Sequence, residues 1–246
     1  MKHIDIFSSV SEYETAKSGG TLITPNISFI NEDNGVRYLL KNVLTHNGYE
    51  YVDLGLPSGN LWATCNIGAT SPEQTGLYFA CGETTGYTID QVNNNERIFD
   101  EYNWLYSYKE ITSNLTLEQD AAHVNMGEGW TTPSEDDYYE LLENTTCTYT
   151  TNYNNTGISG FIYTSNNNSN SIFFPIGGYV DGSQYTDELG NYINTISNSN
   201  EALCSTSSVN GAYFFIFNAY VDDNIDNSIQ YMYRTNGYNI RGIYKN

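Results

Sequence analysis

From Thr146 onward the chain consists of short apolar, aromatic-rich runs, and this confines most of it to β-sheet. The runs are "CTYTT", "ISGFIYTS", "SIFFPIGGYV", "GAYFFIFNAY", "SIQYMYR" and "YNIRGIYK". Loops rich in Asn, Ser and Gly, such as "NNNSN" and "NTISNSNEA", separate them. Two mid-chain segments carry helical spacing instead. In "TLEQDAAHVN" Thr116 is expected as N-cap, with Gln119 at the capping-box position. In "TPSEDDYYELLEN" Thr132 is expected as cap, Pro133 at the first helical position and Glu135 closing the box. Acids fill that first turn, where the helix dipole favours them, and Tyr138, Leu141 and Leu142 form the buried stripe. Strands, two helices, then strands again predict an α+β fold.

The N-terminal part reads differently. "SVSEYETAKSG" predicts a short helical turn capped by Ser11 with Glu14 three positions on. "TLITPNISFINEDNGVRYLL" predicts two strands around a turn at "NEDNG". Such a hairpin is too small to stay folded alone, so residues 1–47 are expected to form an arm that orders against a partner and is cut by protease near Leu44 to Gly48. "KNVLTHNG" reads as a connector, and the main domain is expected over 48–246. There "YEYVDLG", "LWATCNIG" and "LYFACGE" predict three strands, with Leu61, Ala63 and Cys65 on one face of the second and Trp62 and Thr64 on the other. Trp62 and Trp130 are expected as core anchors.

Charge narrows the partners. Asp plus Glu total 29 and Lys plus Arg total 9, for a net charge of -20. No Lys or Arg lies between Lys109 and Arg234. Such a surface repels phosphate, which argues against nucleic acid and against anionic lipid. No stretch approaches transmembrane length, no signal-peptide pattern opens the chain, and no membrane insertion is expected. The four cysteines, Cys65, Cys81, Cys147 and Cys204, show no CxxC and no zinc spacing with His3, His46 or His123. Cys65 and Cys81 read as small buried hydrophobes. "VDDNIDN" gathers oxygen ligands of the kind calcium takes, but lacks the glycine and terminal Glu of a dedicated loop and reads better as a solvated turn. No cofactor or metal is expected. No triad, metalloprotease or phosphate-loop signature points to an enzyme.

Four separated motifs keep a common order: "YVDLGLPSGNLWATCNIGATSPEQTGLYFACGET", "DAAHVNMGEGWTTPSEDDYYELL", "SIFFPIGGYVDG" and "GYNIRGIY", the last with an internal Arg241. Together they resemble the "major paralogous domain" proteins of Bacteroidota and their phages, over residues 48–246. The resemblance implies a C-type-lectin-like domain. Cys81 and Met126 stand where that family often has Trp, and Leu203 in "ALCST" stands at another Trp position. "GNYINTISNSNEA" reads as a long loop or insertion. The stretch "FSSVSEYETAKSGGTLITPNISFINEDNGVRYL" is similar to the start of structural proteins of crAss-like phages. That similarity implies a non-enzymatic virion component, a head fibre or capsid-associated decoration protein displayed on the particle exterior. It also implies attachment to other virion proteins through the arm, with Phe7, Tyr13, Ile27, Phe29 and Tyr38 as candidate contacts.

Tyr with Asn and Ser is the composition of a recognition surface, because Tyr supplies rigid amphipathic area and Asn and Ser supply adaptable hydrogen bonds. An AT-rich genome would give the same composition without any binding role. The C-terminal patch favours binding, since Tyr220, Tyr231, Tyr233, Tyr238 and Tyr244 exceed what two short strands need for packing. Tyr220, Asn224, Tyr231, Tyr233 and Asn236 are therefore the candidate ligand-binding residues, for a host-surface or environmental glycan or protein. A homo-oligomer is a further candidate partner. The alternatives are a purely structural adaptor or decoration subunit, and behind it a glycan hydrolase, for which no pair among the 29 acids stands out.

Overall fold

The computed structural model describes residues 5–7, 11, 12, 15, 28–31, 37–40, 44–97, 111, 113–186, 188, 189, 192–197, 200–210, 213–222 and 224–245. The chain divides into two compact units, Met1–Tyr51 and Val52–Asn246. Among the described residues it is mostly strand with three α-helices, an α+β arrangement.

In the first unit β1 (Asp5–Phe7), β2 (Ser28–Asn31) and β3 (Arg37–Leu40) form one sheet. β2 and β3 are antiparallel, as "TLITPNISFINEDNGVRYLL" predicts, while β1 runs parallel to β2, which local pattern does not reveal. The expected connector is a hairpin instead: β4 (Leu44–His46) pairs with β5 (Tyr49–Val52). Asn47 and Gly48 between them have φ of 51° and 84°, and positive φ at both central positions is what a tight hairpin turn requires. Glu14 lies outside the described residues, as does the turn at Gly35. Of the expected helical turn, the Thr15 hydroxyl donates to the Ser11 carbonyl at 2.8 Å.

The second unit holds three helices, α1 (Ile89–Asn93), α2 (Ala121–Met126) and α3 (Glu135–Asn144). Sequence pattern missed α1, a single capped turn with Thr88 and Gln91 as its capping box. "TLEQ" forms a 3-10 turn, Leu117–Gln119, with the expected Thr116–Gln119 box, and α2 starts afresh at Asp120. The cap of α3 is Ser134, not Thr132. The Ser134 hydroxyl accepts from the Asp137 N–H at 3.2 Å, and the Asp137 carboxylate accepts from the Ser134 N–H at 2.8 Å. Thr132 is used elsewhere: its hydroxyl donates to Asp120 at 2.7 Å, and its N–H donates to the same carboxylate. With Thr132 held by Asp120, the cap role falls to Ser134. Tyr138 and Leu141 are buried as expected, and Leu142 is half-buried.

Around the helices, among the described residues, lie the strands of four sheets. β6 (Leu61–Asn66) and β7 (Trp130–Thr131) flank β16 (Arg241–Tyr244). β8 (Thr145–Thr150), β9 (Gly160–Ser165) and β10 (Ser171–Pro175) form an antiparallel meander. β11 (Tyr179–Thr186) pairs with β12 (Tyr192–Ser197), so part of the expected loop "GNYINTISNSNEA" is strand. β13 (Glu201–Asn210), β14 (Tyr213–Val221) and β15 (Ile225–Tyr233) complete the set in the order β13–β14–β15. "LYFACGE" is not a strand. Tyr78 and Phe79 make single bridges, to Tyr87 and Tyr238, before a turn closed by the Glu83 N–H on the Ala80 carbonyl. In β6 the expected two-face split gives way to burial of Leu61, Trp62 and Ala63 together, and Cys65 is only half-buried.

Two apolar clusters hold this unit. Trp62, Tyr138, Phe161, Phe174, Phe217 and Ile243 lie at the centre of the first. Tyr78, Val92, Val180, Leu203, Ile216 and Tyr238 lie in the second. Arg241 is fully buried and ties β16 to its neighbours. Its guanidinium donates to Asn66 Oδ1 at 2.8 Å and to the carbonyls of Ala63, Thr64 and Phe173, and it sits 4.6 Å from the Phe174 ring centroid. Burial pulls its pKa down, but an arginine stays charged in a protein, and these carbonyls replace its lost hydration.

Candidate ligand-binding surface

The β13–β14–β15 sheet lies between the two clusters, and its register decides which side chains remain outside. Across β14 and β15 the pairs run Phe215–Tyr231, Ile216–Gln230, Phe217–Ile229, Asn218–Ser228, Ala219–Asn227, Tyr220–Asp226 and Val221–Ile225. Successive side chains on a strand alternate faces. Phe217, Ala219 and Ile229 thus share one face and enter the first cluster, while Ile216 and Met232 share the other and enter the second. The sheet is covered on both faces over its middle.

Tyr231 and Tyr233 lie on the same face as Ile229 but beyond the covered part. They are 57% and 56% exposed. Phe215, half-buried, lies directly across from Tyr231, with ring centroids 4.6 Å apart and planes tilted by 43°. The aromatic surface is therefore built on a nine-residue strand held in continuous register, and its position does not depend on loop geometry.

The five candidates do not form one patch. Tyr231 and Tyr233 come together. Tyr220 is half-buried on the opposite face, between Glu201 and Asp226. Asn224 is exposed in the β14–β15 turn, where its carbonyl accepts from the Asp222 N–H at 3.2 Å. It is seven residues from Tyr231, about 20 Å along a strand. Asn236 is 3% exposed and belongs to the interior, with its amide donating to the Tyr238 hydroxyl at 2.9 Å. Tyr238 is fully buried against Tyr179, and Tyr244 packs edge-on against Trp130, so two of the five supposed surplus aromatics are packing groups. Of the arm candidates, Phe7, Phe29 and Tyr38 fall on β1, β2 and β3, while Tyr13 and Ile27 lie outside the described residues.

Phe215 was missed. It sits inside "GAYFFIFNAY", which reads as uniformly buried. Two-residue alternation from Phe217 was the available signal, but the depth of cover along that face comes only from the other sheets. Of the acidic segment "VDDNIDN", Val221 ends β14 and Ile225, Asp226 and Asn227 begin β15, with Asp222 and Asn224 exposed between them. Among the described residues no three His, Cys, Asp or Glu side chains are grouped to hold a metal ion.

Among the titratable groups that depart from their ordinary behaviour, two thiols lie in the interior. Burial pushes the Cys81 thiol up to about 12, against a favourable Arg234 charge, and the Cys204 thiol up to about 11, against Arg241. Thiols held protonated in this way are poor nucleophiles.

No family model, no curated protein and no solved structure matches the chain.

Proposed function

We propose that the chain is a non-enzymatic virion structural protein, a head fibre or capsid-associated decoration protein. Its C-type-lectin-like head, from about Gly48 to the C-terminus, would bind a glycan or protein on a host surface or in the environment. The arm, through Phe7, Tyr13, Ile27, Phe29 and Tyr38, would attach it to other virion proteins. The ordered motifs described above support the lectin-like and phage assignments. One structural observation carries the binding role: two neighbouring tyrosines, each more than half exposed, stand on a rigid strand beside a third aromatic ring. Exposed tyrosines on a preordered support lose little entropy on binding, and such residues dominate interface energetics. The binding residues in this reading are Tyr231, Tyr233 and Phe215.

The test is the double variant Tyr231→Ala/Tyr233→Ala, measured for adsorption to host cells and to purified surface glycan, with circular dichroism as the control for folding. Adsorption should fall at least about tenfold, the effect of losing two hot-spot side chains, while the fold persists. Undiminished adsorption would remove the tyrosines from any site and leave the structural adaptor as the better account. Release of reducing sugar from the glycan would instead establish a hydrolase.

A further inference from the structure

Strand β15 forms the outer edge of its sheet. β14 pairs with it along all nine residues, Ile225 to Tyr233, without a bulge. Among the described residues, no other segment makes a backbone hydrogen bond to 225–232. Alternate residues of such a strand direct their N–H and C=O groups outward, where another strand can take them up. Edges of this length are normally protected by a proline, a bulge or a lysine. This one has none of them, and its single charge is Asp226. Asp226 and Gln230 are exposed, and Ile225 is 37% exposed, so the edge is open to an incoming chain.

We propose that β15 pairs antiparallel with the same strand of a second copy, about a two-fold axis through Ile229. The two three-stranded sheets then become one of six strands. This register keeps all nine residues paired and is self-complementary, as a two-fold interface must be. Asp226 faces the partner's Met232, so no two carboxylates meet. Ile225 faces the partner's Tyr233, which brings two exposed apolar groups together, and Asn227 faces the partner's Tyr231. Moving the axis towards the turn loses pairs, and an axis at Asp226 sets two carboxylates opposite each other. A basic foreign strand would find only Asp226 to neutralise, whereas a second copy matches the strand along its whole length. The axis is normal to the sheet, so Tyr231 and Tyr233 of both copies lie on the same side. Edge pairing leaves that face open, and the dimer presents two aromatic patches side by side. Two chains of net charge -20 repel one another, so pairing strengthens as salt screens them.

Sedimentation velocity of the full chain over a range of concentrations, at low salt and at about 0.3 M salt, tests this. A monomer–dimer equilibrium that tightens with salt is expected. Ser228 and Gln230 of opposite copies face each other across the axis. The variants Ser228→Lys/Gln230→Lys and Ser228→Glu/Gln230→Glu should each weaken the dimer about tenfold or more, because like charges oppose one another. An equimolar mixture of the two should dimerise again. Hydrogen exchange on the unmodified chain gives a readout independent of any variant: amides within 226–232 should gain protection as concentration rises. The proposal is overturned by a monomer at every concentration, by a trimer, by a dimer that both charged variants leave intact, or by a mixture that fails to pair. The charged variants keep Tyr231 and Tyr233, so their adsorption reports on the ligand-binding reading separately.

Discussion

Arg241 and Asp120 show how single side chains join segments far apart in the chain. Arg241 fills four acceptors from two segments, 63–66 and Phe173, with one rigid fork of donors. Asp120 does the same in reverse, accepting from the N–H groups of Ala122, His123 and Thr132 and from the Thr132 hydroxyl. A buried acceptor stripped of its donor costs about 1–3 kcal/mol, so residues of this kind are expensive to replace even by side chains of similar volume. Arg241→Met keeps the length and apolar stem but leaves those acceptors unmet. We expect it to lower stability by about 3 kcal/mol or more, read from urea unfolding. A loss below about 1 kcal/mol would mean the carbonyls find other donors.

At the scale of elements, helix α3 is an anchoring device as much as a packing one. Its inner side puts Tyr138 against Phe217, stacked with centroids 4.6 Å apart. Its acids face the other way and hold the "LPSGN" turn: Glu140 accepts from the Ser58 N–H at 2.7 Å and hydroxyl at 2.6 Å, and Asp137 accepts from the Asn60 amide at 2.9 Å. Asn-rich loops act similarly. Asn168 and Asn170 donate to the Asp53 carbonyl and Asn167 to that of Gly55, beside a backbone at φ 61° where a Cβ would strike Asn167. Part of the Asn content thus satisfies backbone carbonyls and is unavailable for recognition. The cap of α3 is testable by itself. Ser134→Ala should cost about 1 kcal/mol in thermal or urea unfolding, as loss of an N-cap does. If the cap were Thr132, that substitution would be close to neutral.

At the scale of the whole molecule, the buried thiols and phenols give stability a predictable pH dependence. Cys204 and Cys81 rise from the ordinary value of 9.0 to about 11 and about 12. Tyr138, Tyr163 and Tyr238 are raised as well, first by desolvation. An unfolded chain releases these protons from about pH 9 upward, whereas the folded chain retains them. The unfolded state then binds fewer protons, and stability falls as pH rises. The melting temperature should decline steadily between about pH 9 and pH 12, and native Cys81 and Cys204 should resist alkylation until the fold opens. A flat melting profile across that window, or rapid labelling of either thiol at neutral pH, would contradict this account.

By itself the sequence determined the element types over most of the described chain. Alternation in "SIQYMY" follows from the pleat of a strand, the stripe at Tyr138 and Leu141 from the helical repeat, and both signals act between near neighbours. It also determined that Tyr231 and Tyr233 share a face with Ile229, since that needs only a two-residue period. Tertiary structure decided the rest. Which end of that face the other sheet leaves bare, why Phe215 joins Tyr231, and why Asn236 turns inward all depend on pairing between segments distant in sequence. The parallel entry of β1 and the shift of the α3 cap to Ser134 have the same origin: a competing partner from elsewhere in the chain outweighs the local preference. Burial is a sum over such partners, and no window of sequence contains them all.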